Sequence, residues 1–578
     1  MRRALAAAAI GLLLAGPALA APGKPKPLGP PEQRLTAAQA KAIFLRNEKV
    51  SDWLAHYPQR LWQTDATFDQ DHKFWRVNVW AGEAGEVATG KVDDTSGAVS
   101  EAWTGPQVAW KMARGLPGAF GGKEINSAPV WLGFCALFFL GLADLRRPFS
   151  LRNLDLLVLL SFTVSLWFFN RGDIFTSVPL AYPPLLYLLG RMAWSGWRGR
   201  LGTGAVPVWP IWLLAAATVF AAGFRLGLNV RASNVIDVGY SGVIGANRIA
   251  NGQSPYGHFP VELGKACGPS DIDGETRERI QTNGRCESAN PQGDTYGPVA
   301  YEAYLPGYLA LGWTGKWDDL PAAHFASIGF DLLCVLGLAL VGLRFGGQRL
   351  AVTLAFAWVA YPFTQYVSSS NTNDALPPLF LIWGFWLATW PAARGVGVAL
   401  SGWSKFGSLL VAPLWASYPE RRLRPTLVFA AGFLVATLAA FSILLLEPNP
   451  VHAARVFWDR TLGWQIDRES PFSIWDWRQY HAGLPDLHIL QRVLEVLLIV
   501  AAFAVYFVPR RKSPLQLAAL TAALLVGVEL VLTHWFYLYL PWFFPFAAFA
   551  VLAPTAEPLR AAVRAPVERP RQELVGVD

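Results

Sequence analysis

Charge is scarce in this chain. Only 16% of its 578 residues are Asp, Glu, Lys or Arg, whereas 53% are hydrophobic, and the mean hydropathy is +0.29. Several apolar runs reach about 18 residues or more, the length that crosses hydrocarbon, so the composition describes a polytopic membrane protein. The formal net charge of +8 does not argue for a nucleic-acid partner. The Lys and Arg residues lie mainly in short loops between apolar runs, where the positive-inside bias puts them. Cysteine and histidine are also few, at four and eight, and none shows the spacing of a zinc site. "GVIGAN" follows no strand and opens no βαβ unit, which excludes a dinucleotide fingerprint.

What is present begins with "MRRALAAAAIGLLLAGPALA", a basic start, a short apolar stretch and a small-residue cleavage pattern before Ala21. Residues 1–20 read as a signal peptide, with an uncleaved anchor as the other reading; both put residue 21 onward outside the cytoplasm. Residues 21–35 are a Pro- and Gly-rich linker. Thr36 to about His56 is helical, and period-2 alternation broken by "AGEAGE" and "DDTSG" then predicts a small antiparallel sheet. Cys135 and Cys334 fall inside apolar spans as inert small hydrophobes. Cys267 and Cys286 share a hydrophilic loop, and a disulfide between them is expected if that loop faces an oxidising compartment.

The predicted spans are 129–144, 153–170, 175–193, 206–227, 319–343, 350–366, 374–391, 424–446, 488–508, 514–533 and 535–553. Residues 395–416 break the charge rule as a full crossing and hold Gly402, Lys405 and Gly407, so they are expected to form a re-entrant pair of half-helices around a covered polar cavity. Residues 238–250 are expected to form an amphipathic helix lying on the outer surface. The loops 251–300 and 447–487, the run "SSSNTND" and His534 emerge on that same side. Asp331, Lys405 and Glu529 are ionisable groups inside apolar spans, where such groups are costly and functional by default; Asp331 and Lys405 are expected to pair.

An Asp in the first large external loop, then "ANGQSPY", "GDTYGPVAYEAYLPGYLALGW", "YPFTQYVSSSNTNDAL", "ALSGWSKFGSLLVAPL" and "RESPFSIWDW" together resemble the GT-C glycosyltransferases. Over about residues 206–553 the chain is most similar to the family 87 mannosyltransferase-like proteins, which use a polyprenyl-phosphate sugar as donor. Residues 36–115, through "KVDDTSGAVSEAWTGPQVAWKMARG", resemble the PepSY-like domains found outside bacterial membranes. The resemblance implies an all-α polytopic GT-C-like fold of about eleven transmembrane helices plus one re-entrant pair, with a small α+β extracytoplasmic N-terminal domain. Residues 129–193 would be three accessory transmembrane helices and 554–578 a cytoplasmic tail. It further implies a multi-pass protein of the bacterial cell membrane whose active face is extracytoplasmic.

The implied activity is inverting transfer of a mannose-like hexose from a polyprenyl-phosphate donor to a glycan, lipid or protein acceptor. The loop acid Asp237 would be the general base, and a helix cap is its other reading. Arg468, His534, Arg231 and Lys405 are candidates for the donor phosphate. Asn371, Asn373, Asp374, Asp294 and Tyr296 are candidates for sugar or acceptor, although Asp374 equally suits a helix cap. Trp475 and Trp477 could stack on sugar faces. A divalent cation is left open, with no ligand set and no other cofactor assigned. A lipid-linked-substrate transporter or flippase remains the alternative, against which stands the lack of a second broken-helix repeat.

Overall fold

The computed structural model describes residues 33–553 apart from 71–72, 82–85, 106–107, 109–119, 172, 200–208, 260–278, 281–285, 288–292, 314–319, 467–469, 471 and 480–483. The expected signal peptide, most of the linker, the C-terminal tail, Arg468 and Cys267 lie outside the described residues, and so does the side chain of Cys286; the disulfide is therefore not among the findings.

The N-terminal region opens with α1 (Ala37–Leu45) and α2 (Glu48–Leu54), followed by the antiparallel meander β1 (Trp62–Asp69), β2 (Phe74–Ala81), β3 (Glu86–Asp93) and β4 (Val99–Thr104) in that spatial order. A capping box starts α1, with the Thr36 side chain accepting from Gln39 N–H and the Gln39 side chain accepting from Thr36 N–H. The single expected helix is two, because Asn47 caps a new start at Val50 N–H. Ala40, Phe44, Val50 and Leu54 pack on Val77, Val79, Ala88 and Val92 of the sheet's inner face, all of them fully excluded from solvent. Burial of that face is what holds two short helices, which are marginal alone.

The remainder is helical: α3 (Ala128–Leu142), α4 (Leu151–Phe169), α5 (Ile174–Arg198), α6 (Ile211–Ala232), α7 (Asp237–Ala250), α8 (Pro298–Glu302), α9 (Leu305–Leu311), α10 (Pro321–Ala360), α11 (Pro362–Ser369) and α12 (Leu376–Trp386). Then come α13 (Pro391–Ser404), α14 (Ala412–Ala416), α15 (Leu423–Ala440), α16 (Pro450–Trp458), α17 (His488–Phe507), α18 (Pro514–Val531) and α19 (Leu540–Leu552). Among the described residues six helices are long and apolar enough to cross a membrane: Leu151–Phe169, Ile211–Ala232, Pro321–Ala360, Leu423–Leu446, His488–Phe507 and Pro514–Val531. The protein is therefore a multi-pass membrane protein. The expected span over 374–391 is instead the 11-residue α12, which at 1.5 Å per residue covers only about 17 Å. Residues 319–343 and 350–366 are expected as separate spans; they fall within α10 and α11, and α10 is broken at Gly347, whose φ of 73° no helical residue shares.

The lipid-facing side is written in exposed apolar residues. On α17, Ile489, Val493, Val496, Leu497, Val500 and Phe503 are each at least half exposed, a surface that suits hydrocarbon and not water. Inside, charges are paired. The Asp155 carboxylate of α4 accepts from Arg191 at 3.0 Å and from the Tyr187 hydroxyl at 2.8 Å, both on α5. Asp331 on α10 pairs with Arg225 on α6 and also accepts from Trp358 Nε1 at 2.7 Å. The expected Asp331–Lys405 bridge is thus overturned. Arg225, in the middle of "FAAGFRLGLN", is the intramembrane cation that answers Asp331.

Two further expectations change. Residues 238–250 do not lie on a surface: Asp237 to Ala246 of α7 are buried all round, covered by α8, α9 and the turn at Asn371. Gly239, Gly242 and Gly245 permit this, since a Cβ at each would lie 2.2 Å from the Asn371 carbonyl oxygen, 2.5 Å from Tyr304 and 2.1 Å from Tyr301. An amphipathic reading fails where glycine supplies a third, contact-making face. Residues 391–416, by contrast, do form the broken hairpin on which the re-entrant expectation rests. After α13 the chain leaves the helix at Lys405 (φ −145°, ψ 121°), runs as a 3₁₀ turn over Phe406–Val411 and returns as α14. The Arg394 guanidinium at the start of the hairpin donates Nε to the Trp415 carbonyl at 3.0 Å and Nη2 to the Tyr418 carbonyl at 2.7 Å, so both ends meet.

Candidate functional site

The hairpin tip is where buried polar groups converge. A cavity of about 290 Å³ is lined by Asp237 and Ile236 at the start of α7, Thr295 and Tyr296 before α8, Asp374 before α12, Ser404 to Gly407 at the tip, and Thr533, His534, Tyr539 and Trp542 around the start of α19. Its wall also includes Phe120, Leu462, Gln465 and Glu495. At about 30 Å³ per water this holds roughly ten waters, room for a hexose with its phosphate. Segments as far apart in sequence as Phe120 and Trp542 contribute to it.

Asp237 is 8% exposed and is the first residue of α7. The helix cap is Ile236, with no side-chain capping bond, so the capping reading of Asp237 is overturned. The carboxylate instead sits in the first turn of α7, at the positive end of the helix dipole. Its placement is set from the neighbouring strand of loop: Asn234 N–H and Ile236 N–H donate to the Ser369 and Ser370 carbonyls, each at 3.3 Å. Asn371, in the left-handed region at φ 53°, completes this clamp. Its Nδ2 donates to Ser233 Oγ and to the Asn234 carbonyl, both at 2.9 Å, and its Oδ1 accepts from Asn229 Nδ2 at 2.8 Å. Asn371 therefore holds the chain entering α7 and does not line the cavity.

Lys405 and Asp374 face each other at 2.5 Å, 8% and 1% exposed. Three rings surround the ammonium, Tyr539 at 5.1 Å, Tyr296 at 5.2 Å and Trp542 at 5.6 Å. Desolvation of a lone ammonium at this depth would cost several kcal/mol, and a carboxylate plus three π faces offset it. α12 is capped at Ala375 without a side-chain bond, so Asp374 is a partner of Lys405 and not a helix cap. One oxygen, Asp374 Oδ2, and the Trp542 Nε1 donor have no hydrogen-bond partner among the described residues. Both residues line the cavity beside the cation, while these two atoms are themselves closed off from solvent.

His534 lines the same space, with Nδ1 2.8 Å from Ser470 Oγ and its ring 5.4 Å from Phe472. Glu529 lies buried one turn before the end of α18 and accepts from Trp535 Nε1 at 3.1 Å. It does not line the cavity.

The remaining candidates are elsewhere. Arg231 is exposed in the last turn of α6 and is not part of the lining. Asp294 is fully buried, and its Oδ2 accepts from Gly257 N–H at 2.7 Å and Arg460 Nε at 3.1 Å, which fixes the loop that delivers Thr295 and Tyr296. Asn373 is buried without lining the cavity. Trp475 donates Nε1 to the Leu530 carbonyl at 2.9 Å and Trp477 packs edge-on against Phe175, so neither offers a free face to a sugar at the cavity. No group of three or more His, Cys, Asp or Glu among the described residues is placed to hold a metal ion. Next to the site, burial holds the Glu302 carboxyl on α8 up at about 7. Sequence reasoning missed Trp542, Tyr539, Thr295 and Phe120. Aromatics abound here, and only the folded path distinguishes a cavity ring from a packing ring.

No family model matches the chain, and no curated protein matches it. Among solved structures, the oligosaccharyltransferase of Archaeoglobus fulgidus in its apo form is similar at 13% identity with a TM-score of 0.31. The likeness covers 61% of this chain and 52% of that one, so the chain spans about half the length of that structure.

Proposed function

We propose that this protein is an integral membrane glycosyltransferase of the GT-C type, most similar to the family 87 mannosyltransferase-like proteins, which transfers a hexose from a polyprenyl-phosphate donor to an acceptor hydroxyl on the extracytoplasmic side. The observation that carries the reading is one cavity joining a carboxylate at a helix N-terminus, Asp237, to a caged ammonium, Lys405, at the break of a membrane-depth hairpin. The acceptor O–H gives its proton to Asp237 as its oxygen bonds to the anomeric carbon. The anomeric carbon–oxygen bond to phosphate breaks, and polyprenyl phosphate leaves with the electron pair and one more negative charge. Lys405, with three N–H donors, and His534 stabilise that charge where low dielectric makes each contact strong. Asp374 and Trp542, which line the same cavity, are the candidates for the sugar hydroxyls, and Arg468 is a further candidate for the phosphate.

The test is Asp237→Asn in membranes supplied with labelled polyprenyl-phosphate mannose. Transfer is expected to fall by about 10²- to 10⁴-fold, the usual worth of a positioned base, with unchanged thermal midpoint in detergent. Wild-type transfer by a folded Asp237→Asn protein overturns the assignment.

A further inference from the structure

One cavity residue comes from outside the helical core. Phe120 belongs to the stretch that leads from the β-sheet into α3, yet it is 1% exposed and lines the cavity. Its ring lies 4.6 Å from Phe536 and 6.4 Å from Tyr366. The stretch is folded tightly on itself. Asn126 Nδ2 donates to the Phe120 and Gly122 carbonyls, both at 2.8 Å, and Asn126 Oδ1 accepts from Asn170 Nδ2 at the end of α4 at 2.9 Å. Gly121 and Gly122 turn it with φ of 83° and 87°. A Cβ on Gly122 would come within 2.5 Å of the Ala232 carbonyl oxygen, and one on Gly121 within 3.3 Å of Ser369 Cβ. The stretch is therefore wedged between the end of α6 and the end of α11, against the side chains of the same Ser369–Ser370 pair whose carbonyls position the approach to Asp237.

We propose that residues 120–126 form a strap that gives the site an aromatic wall, and that Phe120 is a specificity residue packing against the lipid-linked sugar. This rests on the glycosyltransferase reading. An aromatic wall suits the apolar C–H face of a hexose, while Asp374, Lys405 and Trp542 supply the polar contacts. The N-terminal region thus takes part in substrate selection through its exit segment.

The full-length protein carrying Phe120→Cys, and separately Tyr296→Cys, is reacted with a maleimide with and without a short-chain prenyl-phosphate mannose. Labelling of the unsubstituted chain gives the background from its four native cysteines. With the lipid at ten times its Kd, both introduced thiols are expected to react about tenfold more slowly, as the free fraction falls to about one in eleven. Protection at 296 with none at 120 overturns the strap and leaves the glycosyltransferase reading standing. Protection at neither position overturns both. If Phe120→Cys does not accumulate folded, p-benzoylphenylalanine at 120 keeps the ring. Irradiation is then expected to attach it to the mannosyl lipid, and a folded protein giving no adduct overturns the strap.

Discussion

At Lys405 the arithmetic of buried charge decides what a mutation does. Removing the ammonium leaves Asp374 uncompensated at 1% exposure, so Lys405→Met is expected to cost roughly 3–5 kcal/mol. Replacing both partners, as Lys405→Met with Asp374→Leu, is expected to return most of that stability with no return of transfer. Thermal midpoints in detergent and a transfer assay separate the two effects. The sequence marks Lys405 as a candidate cation because glycines flank it inside an apolar run. It does not show its partner: an expected pairing with Asp331 rests on both residues being intramembrane, and only the fold reveals that Arg225 reaches Asp331 first. Residues such as Asn371 and Asp294 carry the right chemistry for sugar, and the structure spends it on positioning the loops before α7 and α8.

Among elements, α7 and the hairpin were legible to different degrees. The broken hairpin is announced by misplaced positive charge and by glycine at membrane depth. Burial of α7 is invisible to periodicity, because Gly239, Gly242 and Gly245 read as neutral positions when they are contact surfaces. Gly239→Ala is the sharp test. Helix propensity favours Ala by about 1 kcal/mol, but the new Cβ would lie 2.2 Å from the Asn371 carbonyl oxygen. Overpacking against backbone costs about 1–3 kcal/mol and should win. A lowered thermal midpoint and a transfer rate reduced with it are expected, since the displaced turn carries Asp237. In the hairpin, Arg394→Lys retains charge but loses the planar fork that reaches Trp415 and Tyr418. Each carbonyl left without a donor costs about 1–3 kcal/mol, so the variant should show faster proteolysis near residues 405–418.

For the molecule as a whole, one contribution to the pH response comes from Glu302, whose carboxyl burial raises to about 7 from an ordinary 4.5. The unfolded chain releases that proton first, so between about 4.5 and 7 the folded state binds more protons and stability falls as pH rises. Above that window the loss is complete. Glu302→Gln is expected to flatten the decline, as read from thermal midpoints in detergent between pH 4.5 and 8. The multi-pass character and the small N-terminal sheet are readable from hydropathy and alternation alone. The meeting of loops from residues 237, 296, 374, 405 and 534 in one space is not, since long-range contact leaves no local periodicity.

The Arg394 closure separates the root of the hairpin from its tip. With one guanidinium tying the Trp415 and Tyr418 carbonyls, residues 404–407 are the part where a substitution is expected to reshape the cavity wall while the base stays shut.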